Sequence, residues 1–407
     1  MRVTLLACCA ASNSNPRILI NHSMKIPFVD LHAQYLSIKN EIDRAITDVI
    51  AESAYIRGPH VDTFEEAWAS TLGVKRCVSC ANGTDAIYIA LRGLGVKPGD
   101  EIITSAHSWI STSETITQAG GRVVFCDTDE ETFTIDPNDI ERKITPATVG
   151  IVPVHLYGQP ADMDAIMAIA RKHGLWVLED CAQAHLAKYK GQFVGTFGNA
   201  ATFSFYPGKN LGAYGDAGCV VTNDERLAEW MTTFGRHGGK GDHVMEGINS
   251  RMDGLQAAIL NAKLPHLSAW TEARRCVAAC YNGLLEQLGD VITPRVASGR
   301  DHVYHLYVIR TENRDALREH LTQAGISTVL NYPKALPFYP AYAYLGHVPQ
   351  DFPVAYFNQS RILSLPIYPE MTKEMIIRTV ECTDSFFQET AAIPMKVVQF
   401  ADLQRVR

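Results

Sequence analysis

The chain has 407 residues, of which 46% are hydrophobic and 20% charged, a composition typical of a globular enzyme with room for a large and a smaller domain. The formal net charge of −7, without a block of like charges, argues against nucleic-acid and anionic-membrane partners. Ten scattered cysteines and the absence of an apolar run of ~18 residues predict a cytoplasmic protein with small-molecule ligands.

The N-terminal segment differs from the rest of the chain. Residues 1–23 predict a disordered extension, or a start codon upstream of Met24. Apolar residues then recur at helical spacing from Asp30 to Ala51 and predict a helix, which Gly58-Pro59 separates from a second helix at 61–72.

A strand, a glycine turn and a helix start follow one another at residues 76–94. The strand Arg76–Cys80 leads through Ala81-Asn-Gly-Thr-Asp85 into a helix at 86–94. Such a junction points backbone N–H groups and the positive end of the helix dipole at one spot, and the Thr84 hydroxyl adds a donor. A phosphate would fit there, although Thr84 or Asp85 acting as a simple helix cap explains the same pattern.

Strands and helices alternate through the next hundred residues. Strands are predicted at 101–104, 123–126, 149–154 and 175–178, and helices at 111–119 and 162–173. Continuous apolar strands joined by helices indicate a mostly parallel sheet covered on both faces, with ligands beyond the carboxyl ends of the strands. Asp180 follows the last of these strands and is predicted at that edge.

A single lysine follows the buried strand predicted at 200–205. Pro207-Gly208 ends this strand, so Lys209 is expected on a tight loop beside the sheet. Partial desolvation there would lower the pKa of the lysine, and a neutral amine can form a Schiff base with a carbonyl. A solvated loop lysine is the alternative.

Three other kinds of site are not supported by the sequence. Gly208-Lys209 matches the end of a phosphate-binding P-loop, but Phe203 and Asn210 stand where that motif needs glycine and a hydroxyl residue. Cys77-Val-Ser-Cys80 has zinc spacing without a second ligand pair. No Gly-x-Gly-x-x-Gly turn follows the first strand, which argues against a nicotinamide-dependent reductase.

The C-terminal part predicts a second domain. A long helix that starts near Met252 breaks at Pro265, where we place the boundary between a large domain, residues 24–264, and a small α+β domain, residues 265–407. Strands are predicted in the small domain at 302–310 and 327–330, and helices at 314–324 and 373–389.

Several of these residues together meet the needs of pyridoxal 5′-phosphate. This cofactor requires a lysine for its aldehyde, a carboxylate beside its pyridine nitrogen, a phosphate site and an aromatic face. Lys209 and Asp180 supply the first two, Asn82-Gly-Thr84 with Ser204 the third, and Trp109 the fourth. Helix capping by Asp180 and core packing of Trp109 are ordinary alternatives, but the order along one α/β chain favours the cofactor.

Five motifs between Met24 and about Glu389 resemble those of the DegT/DnrJ/StrS family of nucleotide-sugar aminotransferases. The motifs are Ala81-Asn-Gly-Thr-Asp-Ala86, Val154-His-Leu-Tyr-Gly158, Glu179-Asp-Cys-Ala-Gln-Ala-His185, Phe203-Ser-Phe-Tyr-Pro-Gly-Lys-Asn210 and Gly247-Ile-Asn-Ser-Arg-Met-Asp-Gly-Leu-Gln-Ala257. The resemblance implies a pyridoxal phosphate enzyme of fold type I, with a large domain built on a mostly parallel sheet and a small C-terminal α+β domain.

The resemblance also implies roles for individual residues. Lys209 would bind the cofactor covalently, Asp180 would pair with its pyridinium nitrogen, Gln183 would reach its ring hydroxyl, and Trp109 would stack on the ring.

The phosphate group would be shared between two chains. The resemblance implies that Gly83, Thr84 and Ser204 bind it, and that Asn249 of the neighbouring subunit completes the site, so a homodimer with shared active sites is expected. Arg251 would meet an anionic group of the substrate. Without the resemblance, residues 249–251 indicate only a helix N-terminus.

The implied reaction is a transamination in two halves. L-Glutamate gives its amino group to the cofactor, a nucleotide-linked keto-sugar then receives it, and Lys209 moves the proton. The alternatives are a 4-keto-sugar aminotransferase, a pyridoxal-dependent sugar dehydratase, whose relatives replace the lysine by histidine, and a non-catalytic regulatory relative.

The sequence around the lysine also bears on the substrate. Gly212-Ala-Tyr-Gly-Asp216 resembles members that aminate 3-keto sugars, so a dTDP- or UDP-linked 3-keto sugar is expected. His305, Tyr307, Tyr332 and Lys334 are candidate sugar or nucleotide contacts, with packing of the small domain as the alternative.

Overall fold

A computed structural model describes residues 24–239 and 241–392, so the expectation for residues 1–23 lies outside the described part of the chain. At its centre is a seven-stranded sheet in the order β1-β9-β8-β5-β4-β2-β3. These strands are Arg76–Cys80 (β1), Glu101–Ser105 (β2), Arg122–Cys126 (β3), Thr148–Val152 (β4), Trp176–Asp180 (β5), Ala200–Ser204 (β8) and Gly218–Thr222 (β9). A small three-stranded sheet joins Lys188–Tyr189 (β6), Gln192–Phe193 (β7) and Arg300–Asp301 (β10).

The central sheet is parallel except at β9, which runs antiparallel to both β1 and β8. The mostly parallel sheet predicted from the sequence is therefore confirmed. Helices alternate with these strands. They are Leu31–Ser37 (α1), Lys39–Glu52 (α2), Pro59–Leu72 (α3), Gly83–Gly93 (α4), Ser111–Gln118 (α5), Pro137–Lys143 (α6), Met163–His173 (α7), Glu225–Phe234 (α8) and Gly254–Lys263 (α9).

Helices cover both faces of the central sheet. Successive side chains of each strand point to opposite sides, so the apolar residues of one strand enter two different cores. In β1, Val78 and Cys80 pack with α4, α5 and α8, whereas Cys77 packs with α3 and α9 on the opposite face. The apolar strands that the sequence predicted thus form the inner layer of a three-layer unit, and their carboxyl ends open on one edge.

The C-terminal part is built on a two-stranded antiparallel sheet. Its elements are Leu267–Leu285 (α10), Tyr307–Arg310 (β11), Arg314–Gln323 (α11), Pro353–Asn358 (α12), Ile362–Leu365 (β12) and Lys373–Ala392 (α13). The predicted helix break at Pro265 is present as a 3₁₀ turn at Leu264–His266 between α9 and α10. The strand predicted at 327–330 is wrong, since within it Val329 alone pairs, with Ser364.

Two segments connect the C-terminal part with the remainder. Ile26 forms a parallel bridge with Ile326 and lies in the C-terminal core. Leu336, Tyr342 and Phe352 instead pack into the core of the large sheet, where the Tyr342 hydroxyl donates to Ser113 Oγ at 2.7 Å. Within the described residues, no helix combines the length and apolar character needed to cross a bilayer.

Candidate active site

A cavity of about 660 Å³ opens at the carboxyl ends of β5 and β8. Ten candidate residues from the sequence line it, namely Asn82, Gly83, Thr84, Trp109, Asp180, Gln183, Ser204, Lys209, His305 and Tyr332. They come from elements spread over much of the chain. The sheet topology brings them together at the carboxyl ends of the strands, where a ligand site was predicted.

Lys209 lies on a tight loop directly after β8. The Lys209 backbone N–H donates to Tyr206 O at 2.8 Å, and Ala213 N donates to Phe205 O at 2.8 Å, which fixes the loop at both ends. Burial lowers the pKa of the Lys209 ammonium to about 8, while the nearby negative charge of Asp180 opposes this shift. At pH 7, Lys209 is then a neutral, nucleophilic amine in roughly a tenth of the molecules.

Asp180 ends β5 and is 5% exposed. Thr112 Oγ1 of α5 donates to its Oδ2 at 2.8 Å, and Ala182 N donates to its Oδ1 at 3.1 Å. Both carboxylate oxygens are therefore oriented before any ligand arrives. Thr112 also lines the cavity, and sequence analysis did not identify it because it lies in the first turn of a helix without a local motif.

The turn between β1 and α4 forms a cradle against β8. Asn82 caps the helix, since its side chain accepts from Asp85 N at 2.8 Å, so neither Thr84 nor Asp85 is the cap. The Thr84 hydroxyl lies 2.7 Å from Ser111 Oγ. A Cβ on Gly83 would lie 2.6 Å from the Ser204 Cβ, so the lack of a side chain allows this close approach.

Aromatic side chains surround the opposite side of the cavity. Trp109 is 57% exposed, and its ring centroid is 5.5 Å from that of Tyr332. Gln183 Nε2 donates to the Tyr332 hydroxyl at 2.8 Å, and Gln183 Oε1 accepts from Tyr157 N at 2.7 Å. Tyr332 N in turn donates to His107 Nε2 at 3.1 Å, so Tyr157, Gln183, Tyr332 and His107 are linked by hydrogen bonds in this wall of the cavity.

Four nominated residues do not line this cavity in a single chain. Asn249 is exposed and pairs with Arg236, and Arg251 is half-buried. Lys334 is exposed, with its ammonium 5.8 Å from the Tyr339 ring centroid. Tyr307 is a core residue whose hydroxyl donates to Asn282 Oδ1 at 2.6 Å.

The residues present fit pyridoxal 5′-phosphate. The cavity holds a desolvated amine, an oriented carboxylate and an exposed tryptophan, and the Gly83 cradle at the positive end of α4 suits a phosphate group. No other lysine lines the cavity among the described residues.

The model of the DegT/DnrJ/EryC1/StrS aminotransferase family matches residues 36–383. The family predicted from the five motifs is thereby confirmed.

Three curated relatives are similar over most of the chain. A pleiotropic regulatory protein of Geobacillus stearothermophilus is 47% identical over 372 residues, 90% of this chain and 100% of that protein. The dTDP-3-amino-3,4,6-trideoxy-α-D-glucose transaminase of Streptomyces venezuelae is 41% identical, over 88% of this chain and 95% of that protein. The UDP-N-acetyl-3-dehydro-α-D-glucosamine 3-aminotransferase of Acidithiobacillus ferrooxidans is also 41% identical, over 87% and 95%.

A solved structure has the same fold. The structure of S. venezuelae DesV in complex with a ketimine intermediate is 40% identical in sequence and superposes with a TM-score of 0.87. The match covers 89% of this chain and 99% of that one.

Proposed function

The chain belongs to the DegT/DnrJ/EryC1/StrS aminotransferase family, and on this basis we propose that it transfers the amino group of L-glutamate to a dTDP- or UDP-linked 3-keto sugar. The enzyme is a pyridoxal phosphate-dependent aminotransferase. The observation that carries the assignment is that Asp180, at the end of β5, and Lys209, on the loop after β8, line one cavity beside a phosphate cradle.

Lys209 performs the proton chemistry in this proposal. Its Nζ would hold the aldehyde of the cofactor, and as a free amine it would take a proton from the substrate carbon and return one. The lowered pKa of Lys209 suits both roles, because the neutral amine accepts a proton and the ammonium returns it near neutral pH. When bound, the cofactor supplies an electron-withdrawing ring that stabilises negative charge on the substrate carbon.

Asp180 holds a proton on the pyridine nitrogen in this scheme. Its carboxylate is buried and oriented by Thr112 and Ala182, so little reorganisation is needed when the ring arrives. Trp109 covers the ring, and Gln183 orients the ring hydroxyl through its amide.

The phosphate site is completed by a second subunit in our proposal. Gly83, Thr84 and Ser204 bind the phosphate from one chain, and Asn249 approaches from the other. Exposure of Asn249 at the surface of a single chain supports this arrangement. Arg251 would reach an anionic substrate group from the same side.

The assignment of a 3-keto sugar draws on two observations. Two of the relatives are named for the amination of sugars at C3, one with a dTDP and one with a UDP carrier. The loop after the lysine, Gly212-Ala-Tyr-Gly-Asp216, resembles that of 3-keto enzymes, and its Asp216 lines the cavity. His305 and Tyr332 would contact the sugar, and Lys334 the nucleotide end.

We also propose a cytoplasmic location and a role in the biosynthesis of amino sugars for glycans, lipopolysaccharides or secondary metabolites. The free buried thiols of Cys77, Cys126 and Cys219 suit a reducing compartment.

The visible absorbance spectrum of the purified protein tests the proposal directly. We expect a yellow band that bleaches on addition of L-glutamate and returns on addition of a dTDP- or UDP-linked 3-keto sugar. Lys209→Ala should abolish both changes while the fold is retained. A bound cofactor that ignores every amino donor would favour the regulatory alternative, and an active Lys209→Ala variant would exclude the assignment of the lysine.

A further inference from the structure

Arg274 is a buried arginine in α10 that lines the active-site cavity and has no part in the mechanism described above. It is 4% exposed. Its Nη1 donates to Ile367 O at 2.9 Å, Tyr304 O at 3.2 Å and His305 O at 3.4 Å. Its Nε is buried and has no acceptor among the described residues. All of its acceptors are therefore neutral carbonyls grouped around one nitrogen.

The charge of Arg274 lacks a close counter-ion in the described part of the chain. Glu370 is the acidic residue whose charge acts on Arg274, but the two side chains form no ion pair. The Oε1 atom of Glu370 is itself buried without a hydrogen-bond partner. Burial lowers the pKa of Arg274 to about 10 and raises the pKa of Glu370. An unpaired buried guanidinium is costly, so its retention in a cavity wall points to an anion supplied by a ligand.

We propose that Arg274 binds the α-carboxylate of the amino donor, a proposal that rests on the aminotransferase function proposed above. Lys209 and Arg274 are the lysine and arginine side chains that line the cavity among the described residues, and Lys209 is committed to the cofactor. The remaining fixed positive charge is thus available to a carboxylate, which a guanidinium binds through charge-assisted hydrogen bonds.

The position of Arg274 distinguishes the donor carboxylate from the phosphates of the sugar nucleotide. The guanidinium donates to the backbone carbonyl of His305, and Arg274, His305 and Lys209 all line the same cavity, so the guanidinium lies in the neighbourhood of the reacting amine. In an amino acid the carboxylate is attached directly to the reacting carbon. In a 3-keto sugar nucleotide the nearest phosphorus is several bonds away from it, so the diphosphate lies farther from the lysine.

His305 does not compete for this anion. Burial and the positive charges of Lys209 and Arg274 hold the pKa of His305 well below its usual range, so the imidazole is neutral. Its Nδ1 lies 3.2 Å from Asn210 Oδ1, and Asn210 Nδ2 donates to Val303 O, so Nδ1 carries the proton and donates. The imidazole is oriented and uncharged.

The proposal is tested with the holoenzyme and α-methyl-L-glutamate, which lacks the proton that transamination removes and therefore binds at equilibrium without turnover. We expect Arg274→Gln to raise the dissociation constant of this ligand about 10- to 100-fold, the loss expected for charge-assisted hydrogen bonds. Binding of dTDP or UDP should change less than about threefold. Arg274→Lys should recover part of the loss.

Arg275→Gln is the matched control. Arg275 is the next residue of α10, donates to His302 O at 3.0 Å, and does not line the cavity. It should leave the affinity for α-methyl-L-glutamate unchanged. An Arg274→Gln enzyme with unchanged affinity for this ligand, or with equal losses for ligand and nucleotide, would overturn the proposal.

A second measurement keeps the proposal testable if Arg274→Gln does not fold. In the wild-type half-reaction, L-isoglutamine, whose α-carboxylate is a neutral amide, should bind at least tenfold more weakly than L-glutamate, while L-glutamine keeps the α-carboxylate and should lose less. Equal binding of L-isoglutamine and L-glutamate would contradict the role of Arg274. Bleaching of the wild-type enzyme by L-glutamate in the same experiment shows that the donor half of the proposed function holds.

Discussion

Lys209 contributes the chemistry of the proposed reaction and opposes the stability of the protein without its cofactor. Its pKa falls from 10.5 to about 8 on folding, so the unfolded chain binds the proton more tightly between these pH values. By linkage, the protonated lysine costs the fold up to about 3 kcal/mol below pH 8, and less to the extent that the open cavity admits water. This cost disappears as the pH rises from 8 to 10.5.

We therefore predict that Lys209→Met stabilises the cofactor-free protein at pH 7 while abolishing transamination. The neutral side chain removes the cost of burying a charge, so the free energy of unfolding should rise by roughly 1–3 kcal/mol. Urea unfolding at pH 7 and pH 10 measures the difference, which should shrink at the higher pH. A variant that is less stable than wild type at pH 7 would show that Lys209 is well solvated in the absence of cofactor.

A second prediction concerns the hydroxyl of Thr112. Thr112→Val removes the 2.8 Å hydrogen bond to Asp180 Oδ2 and leaves that carboxylate less well oriented. Since hydrogen bonds to charged groups contribute about 1.5–3 kcal/mol, the dissociation constant of pyridoxal 5′-phosphate should rise by about tenfold or more. Titration of the cofactor-free protein measures it. Thr112→Ser keeps the donor and should bind the cofactor as wild type does.

The residues of the candidate site differ in how readily they can be predicted from the sequence. Asp180 is the last residue of β5 and Lys209 follows β8 within a few residues, so the local sequence pattern was sufficient to predict both. Thr112 bonds to a residue 68 positions away, and Arg274 to one 93 positions away, both from within helices. Their roles depend on which helix lies against which strand end, and no local pattern contains that information.

At the scale of elements, the junction of β1, α4 and β8 depends on close backbone packing. Gly83→Ala would place a methyl group 2.6 Å from the Ser204 Cβ, so the turn or β8 must shift. We predict that this variant weakens binding of pyridoxal 5′-phosphate at least tenfold and destabilises the fold by about 1–3 kcal/mol. Spectroscopic titration and urea unfolding measure the two effects.

Gly283 supplies the matched control for this prediction. It also lies in a helix, α10, but beyond its chain neighbours and the backbone of its own helix no atom lies within 4 Å of the position that a Cβ would occupy. Gly283→Ala should therefore stabilise the protein by up to about 1 kcal/mol through helix propensity and leave cofactor affinity unchanged. Equal effects of the two substitutions would mean that the cradle tolerates a side chain.

The buried carboxylate of Glu179 joins β5 to the loop after β7. Glu179 Oε1 accepts from Phe197 N and Gly198 N, each at 2.8 Å, and Oε2 accepts from Gly195 N at 2.7 Å. His155 Nδ1 accepts from Ala161 N, so its Nε2 carries the proton and donates to Glu179 at 3.1 Å. Glu179, His155 and Cys181 lie close enough together to bind a metal ion. The hydrogen bonds just described already engage the carboxylate and the imidazole, so these two groups have a structural role.

We predict that Glu179→Gln destabilises the fold by about 3–5 kcal/mol, because an amide nitrogen cannot accept the hydrogen bonds that one carboxylate oxygen now receives. Urea unfolding measures this value. Glu225→Gln removes an exposed carboxylate that pairs with Lys75 and should change stability by less than about 0.5 kcal/mol. A small effect at Glu179 would show that the loop readjusts without it.

The predicted elements were most accurate where the sequence carries its own boundary signals. Asp162 and Gly174 bound the helix α7 as expected, through a side-chain cap and a left-handed glycine. The strand predicted at 327–330 is wrong because Val329 alone forms a bridge, with Ser364, and one isolated bridge does not make a strand. The helix at Pro137–Lys143 was not predicted, although Asp136 before Pro137 is a start signal.

At the scale of the whole molecule, the active site of one chain remains open on one side. Trp109 and Tyr206 line the cavity and are 57% and 58% exposed, and in our proposal the second subunit approaches the site from this open side. We also propose that residues 24–264 and 265–407 form separate domains, with the cavity receiving His305 and Tyr332 from the second.

A hybrid dimer tests whether Asn249 serves the site of the other subunit. Asn249→Asp places a negative charge beside the phosphate in our proposal, so the purified variant should lose at least tenfold in activity, and Lys209→Ala should be inactive. When the two variants are unfolded and refolded together, half of the dimers are hybrids, and one site of each hybrid has both Lys209 and Asn249 intact. About a quarter of the wild-type activity should therefore return. If Asn249 served its own subunit, both sites of every hybrid would carry a defect and mixing would restore nothing.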